Sequence, residues 1–239
     1  RVYTKAPALR MFFLGFSSGL PLLLVLGTLS FWLREAGIEL STIGMVTWVG
    51  LAYGFKWLWA PLVDKLRIPF LTSLMGRRRS WLLFSQCVVL CSLLAMGFTD
   101  PQKNLSLMIG FTALTAFASA TQDIALDAYR IESADLSEQA ALAATYQTGY
   151  RLAMIWAGAG ALALAAFFTT VESGYDPQAW KAAYCVMALS MAVGVVTVVL
   201  SPEPRNNVRE TTSEQTVKHR LECQQKHPHW SERMVNLYV

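Results

Sequence analysis

The chain has 239 residues, of which 54% are hydrophobic and only 15% charged, and its mean hydropathy is +0.37. A composition this apolar excludes an ordinary soluble domain and points to lipid as the surrounding solvent. The net charge of +4 does not indicate a nucleic-acid partner, because the basic residues fall between apolar blocks and build no continuous face.

The apolar residues fall into about six blocks of roughly twenty residues, each long enough at about 1.5 Å per residue to cross a hydrocarbon core of about 30 Å. In chain order they run from about Met11 to Leu33, Thr42 to Trp59, Ser80 to Phe98, Leu105 to Tyr129, Ala140 to Phe168 and Trp180 to Leu200. No small-residue cleavage site follows the first block, which is therefore read as a retained helix. Connections such as 34–41 and 99–104 are short and polar, so successive helices run antiparallel. The expected fold is an all-α membrane protein with six transmembrane helices. Asp135 followed by Glu138 has the form of a capping box opening the fifth helix, which puts the preceding turn near 134–137. Arg1, Lys5 and Arg10 precede the first helix, and Lys65, Arg67, Arg77, Arg78 and Arg79 lie between the second and third. The alternate loops carry chiefly Arg34 and Lys103, so both ends of the unit are expected to face the cytoplasm.

Small residues mark where helices approach closely in lipid. Gly15 and Gly19 form one GxxxG pair and Gly50 and Gly54 another, while Gly149, Ala153, Ala157 and Ala161 make a stripe at four-residue spacing. Cys87, Cys91 and Cys185 lie within apolar blocks as small hydrophobes, and no disulfide framework is implied. After Pro202 and Pro204 the composition turns polar, dividing the chain into a bundle, 1–204, and a tail, 205–239, read as flexible or as a linker cut short. His219, Cys223 and His227 in the tail are spaced by four, but no second cysteine pair accompanies them. No metal or cofactor is expected.

Ionisable residues inside apolar spans are costly and are candidates for function. Lys56, Asp123, Asp127, Arg130 and Arg151 qualify. Asp123 and Asp127 share a helix face at about 6 Å, an arrangement suited to carrying a proton, although Asp127 can instead pair with Arg130. A hairpin turning near 134–137 brings Asp123 and Arg151 to similar depth, and they are expected to pair. The alternative for Arg151, and likewise for Lys56, is to snorkel toward the headgroups. Lys56 is otherwise a cation for an anionic solute. Gln86, Gln122, Gln147 and Tyr150 are polar groups that either bind solute or join helices.

Between the second and third helices, Asp64 and Lys65 are followed after ten residues by Gly76, Arg77, Arg78 and Arg79. This loop resembles that of the major facilitator superfamily, although Ala60 and Pro61 stand where glycine is usual and the spacing is wider. The resemblance implies that Asp64 and the arginines act as a latch on the cytoplasmic side. Within that superfamily the chain is most similar to the AmpG-type muropeptide permeases. The stretches that carry this likeness are LGFSSGLP (14–21), FKWLWAPLVDK (55–65), GRRRSWLL (76–83), SATQDIALDAYR (119–130), GYRLAM (149–154) and SPEP (201–204). It implies proton-coupled import of anhydro-muropeptides across the bacterial inner membrane for cell-wall recycling, with Asp123 and Asp127 as the acidic pair of the fourth helix. It also implies a partner half of six more helices, the C-terminal half, absent from this chain. Other readings are a carrier of another bulky anion such as acetyl-CoA, or a truncated membrane subunit that does not transport. An enzyme is not expected, since no histidine lies in any apolar block to serve as a base.

Overall fold

The computed structural model describes residues 5–133, 138–170 and 174–204. Among the described residues, five helices are long and apolar enough to cross a membrane: α1 (Ala6–Glu35), α3 (Arg77–Gly97), α4 (Leu105–Glu132), α5 (Gln139–Phe168) and α6 (Pro177–Leu200). The remaining expected span, α2 (40–65), is helical only in pieces. Leu40–Val46, Leu51–Phe55 and Ala60–Lys65 are α-helical, and Thr47–Gly50 and Lys56–Leu58 are 3-10 turns. The span expected over Thr42–Trp59 is thus present as an interrupted helix. Gly44, Gly50 and Gly54 and the β-branched Thr42, Ile43, Val46, Thr47 and Val49 weaken α-helix here, and Pro61 opens the last piece without an N–H to donate.

α3 begins earlier than expected, so Arg77, Arg78 and Arg79 form its first turn and are not loop residues. Cations are unfavourable at a helix N-terminus. Glu203, from the segment after α6, offsets this by accepting the backbone N–H groups of Arg78 (2.9 Å) and Arg79 (3.2 Å). Gly76 turns the chain into α3 at φ +86°, and a side chain there would meet Glu203 Oε1 at 2.6 Å. At the opposite helix end, the Arg79 guanidinium donates to the carbonyls of Val198 and Val199 and so caps α6. Of the expected capping box, Asp135 lies outside the described residues. Glu138 occupies the N-cap position of α5 without capping it, its carboxylate being paired with Lys5 at 2.5 Å.

α5 packs chiefly on α1, α3 on α4, and α6 on α3 and α5, whereas α4 and α5 touch little. The α1–α5 contact is built from backbone. Gly15 faces Tyr146 O, Gly19 faces Tyr150 O, and Gly149 faces Phe12 O, each too closely for a Cβ. Ala153, Ala157 and Ala161 continue the buried stripe. The glycine pair of α2 differs: a Cβ on Gly50 would meet only the Leu26 side chain, at 3.1 Å, and Gly54 has nothing within 4 Å, so no backbone approaches either. Both partners carry a π turn, Leu24–Thr28 in α1 and Trp156–Gly160 in α5. Side chains of neighbouring helices reach carbonyls in these turns: Thr28 Oγ1 donates to Ala157 O (2.7 Å) and Tyr184 OH to Leu24 O (2.9 Å).

Two apolar clusters fill the bundle. One gathers around Leu20, Leu24, Trp32, Leu93, Trp180 and Tyr184, with the Trp32 and Trp180 rings stacked at 5.6 Å. The other gathers around Met11, Leu14, Leu82, Leu126 and Tyr129. α6 is capped by Asp176, which is buried and accepts from Gln178 N (2.9 Å), Ala179 N (3.4 Å) and Thr170 N (3.0 Å). Those backbone donors, Thr170 foremost, hold its carboxyl below the usual carboxylate value.

Candidate functional site

Between the two apolar clusters lies a polar layer. Ser17 of α1 donates to Leu14 O (2.9 Å) and accepts from Gln86 Nε2 of α3 and Gln122 Nε2 of α4, each at 3.2 Å. Both glutamines are fully buried, and α6 closes over them with Gly194, where a Cβ would come within 2.8 Å of Gln86 Nε2. One residue further along α1, the Ser18 hydroxyl donates to the Asp123 carboxylate, and the Tyr146 hydroxyl of α5 lies 3.4 Å from Ser18 Oγ. A hydroxyl donor is one of the few ways to solvate a carboxylate within a span.

Along the same face of α4, one turn on, Asp127 stands between two cations. Its carboxylate is 3.3 Å from Arg130 NH2 and 3.9 Å from Lys56 Nζ of α2. Both contacts are partly exposed, so each is loose and readily exchanged. The Arg130 guanidinium also lies 5.8 Å above the Tyr146 ring. Lys56 opens the 3-10 turn of α2, with Phe55 just before it at φ −96°, ψ 5°.

At the end of α4 the charges are buried more deeply. Arg78 binds Asp64 through NH1 (2.5 Å) and Glu132 through NH2 (2.7 Å) and Nε (3.1 Å), and its side chain is only 9% exposed. One guanidinium thus joins the end of α2, the start of α3 and the end of α4, using the fork geometry that suits arginine to carboxylates.

The sequence profile of the Major Facilitator Superfamily matches residues 8–236. The chain belongs to that superfamily. It is 38% identical over 208 residues to the Anhydromuropeptide permease of Escherichia coli (strain K12), a match covering 87% of this chain and 40% of the relative. It is 36% identical over 210 residues to Putative transporter AmpG 4 of Rickettsia conorii, covering 88% of this chain and 48% of that protein. The chain therefore spans less than half the length of these curated relatives. The five long apolar helices and the family membership make it a multi-pass membrane protein of a transporter superfamily.

In this member of the Major Facilitator Superfamily the expected residues gather in part. Lys56, Asp127 and Arg130 come together, as do Asp64 and Arg78, whereas Arg77 makes no ion pair or hydrogen bond among the described residues. The expected Asp123–Arg151 pair is not formed: Asp123 is held by Ser18, and Arg151 is exposed, with NH1 3.8 Å from Met154 Sδ. The reason is the position of α1, which packs against α5 through Gly15 and Gly19 and meets Asp123 through Ser18. Gln122 is enclosed within the bundle on Ser17, so it joins helices, while Gln147 is exposed and Tyr150 half-buried on α5. Ser18, Glu132, Tyr146 and Glu203 were not singled out from the sequence. Ser18 and Glu203 lay within the LGFSSGLP and SPEP stretches, but nothing in those stretches pointed to their partners. His219, Cys223 and His227 lie outside the described residues, and no metal-binding cluster occurs among the described ones.

Proposed function

We propose that this chain is the N-terminal six-helix half of a secondary active transporter that imports anhydro-muropeptides with protons across the bacterial inner membrane, for reuse of cell-wall material. The observation that carries the reading is Asp123: a carboxylate on an apolar span, solvated by Ser18 and set beside the Lys56, Asp127 and Arg130 charges. Such a group binds and releases a proton where a solute passes, and the loose Asp127 pairs exchange partners as it does so. The names of the relatives supply the solute. A second six-helix half would complete the passage, with the site between the halves near the midplane. Both ends of this half would face the cytoplasm, where the Lys and Arg of its loops collect. There the Asp64–Arg78–Glu132 cluster would close the cytoplasmic side in one state and part in the other.

Expression of the complete gene in cells lacking their own permease tests the proposal. Labelled anhydro-muropeptide should enter, accumulate against its gradient, and stop accumulating when a protonophore is added. Asp123→Asn should abolish accumulation while leaving exchange of solute across the membrane intact. Protein present in the membrane with no uptake would reject the permease reading, and accumulation unchanged in Asp123→Asn would reject the role of that carboxylate.

A further inference from the structure

We propose that Arg151 receives a carboxylate of the transported solute, an inference that rests on the permease reading above and names the chemistry of one subsite within it. Arg151 is exposed, and among the described residues it pairs with no carboxylate and its side chain's one polar contact is with Met154 Sδ of its own helix. The other cations near the polar layer, Lys56 and Arg130, already share Asp127. Arg151 is the charge left over on this part of the bundle.

Its place along α5 argues against a headgroup role. α5 is 30 residues long, and Arg151 stands about 18 Å along it from Gln139, well inside a hydrocarbon core of about 30 Å. The α1–α5 seam places it independently: a Cβ on Gly19 would meet Tyr150 Cα and Ala153 Cβ at 3.0 Å, so the backbone of Arg151 is level with Gly19. That is one residue from Ser18, the partner of Asp123. A guanidinium at this level is costly against acyl chains, and in the proposed transporter its face of α5 borders the solute's passage. Gln147, Arg151, Met154 and Gly158 fall at spacings of four, three and four on that face, and Gln147 is exposed there too. A planar fork of donors with a carboxamide one turn away matches a carboxylate attached to a peptide-like solute. The solute that this subsite selects is therefore anionic.

The test uses the complete transporter and two probes: an anhydro-muropeptide with free peptide carboxylates, and the same compound with those carboxylates converted to carboxamides. Arg151→Gln should raise KM for the free acid by about 30-fold or more and leave KM for the carboxamide unchanged. Arg151→Lys, which keeps the charge and loses the fork, should fall between. The carboxamide serves as the internal control for folding, since both probes meet the same protein in the same membrane. An equal loss for both probes would assign Arg151 to structure or to an acidic partner on the other half. No loss for either would assign it to the headgroups. Each of these overturns the inference while leaving the permease reading standing. Failure of the unmodified transporter to import either probe would instead overturn the permease reading itself, and the subsite with it.

Discussion

Gly149→Ala is the sharpest test of how α1 and α5 meet. A methyl group at this position would stand 3.0 Å from Phe12 C and Phe16 N and nearer still to Phe12 O, where ordinary contact is 3.4–4 Å. The obstacles are backbone atoms of a helix and cannot rotate aside, so the two helices must part by at least about 0.4 Å to clear the carbon alone. Overpacking of this kind costs about 1–3 kcal/mol, and a rigid obstacle belongs at the upper end. Replacing glycine by alanine within a helix returns about 1 kcal/mol through helix propensity. The net expectation is destabilisation of about 2 kcal/mol, read by equilibrium unfolding in mixed micelles. Gly54→Ala is the control: nothing lies within 4 Å of it, so only the propensity gain remains. Gly15→Ala should cost a similar amount to Gly149→Ala, because it strikes Tyr146 O across the same seam. The double variant should cost clearly less than the two summed, since one separation of the helices relieves both clashes. Gly149→Ala unfolding together with Gly54→Ala would refute the close approach of the two backbones.

Arg78→Gln should destabilise the bundle by about 3 kcal/mol in the same unfolding assay, because Glu132 is left charged and enclosed. The double variant Arg78→Gln with Glu132→Gln should recover much of that loss; a double variant as unstable as the single would show that Glu132 was never dependent on Arg78. Asp176 has a folded-state value below its usual 3.8, so its stabilisation is complete above about pH 4 and is lost as the pH falls through the lowered value. The advantage in melting temperature of the parent over Asp176→Asn should therefore shrink on acidification from pH 6 to pH 3, and an advantage that held constant or grew would contradict the cap.

The bundle was legible because α1, α3, α4, α5 and α6 each bury or expose a long unbroken apolar run, and length alone identifies such runs. α2 was legible as a span but its interruptions were not, for a physical reason: hydropathy records how greasy a segment is, not whether glycine and β-branched residues let it wind regularly. The cost of an ionisable group in lipid marked Asp123 and Asp127 as residues needing partners. It did not say which partners. The expected Asp123–Arg151 pair assumed that helices adjacent in sequence pack together, whereas Gly15, Gly19 and Gly149 draw α5 onto α1. Ser18 was invisible because a serine in a membrane helix most often bonds its own backbone, as Ser85 and Ser92 do here. Glu132, at a helix end beside Arg130, gave no hint that it would close on Arg78 from another helix.

The π turn in α5 explains how alanines at an interval of four stay on one side for so long. At about 100° per residue, each step of four overshoots a full turn by about 40°, so a regular helix would carry Ala161 and Ala165 well around from Gly149. Yet Ala161 and Ala165 remain buried with Ala153 and Ala157. The wider turn at Trp156–Gly160 takes in an extra residue and winds the phase back by about that residue's share. Deleting a single residue there would rotate the distal third of α5 about its axis, turning its alanines away from their neighbours while every side chain kept its identity.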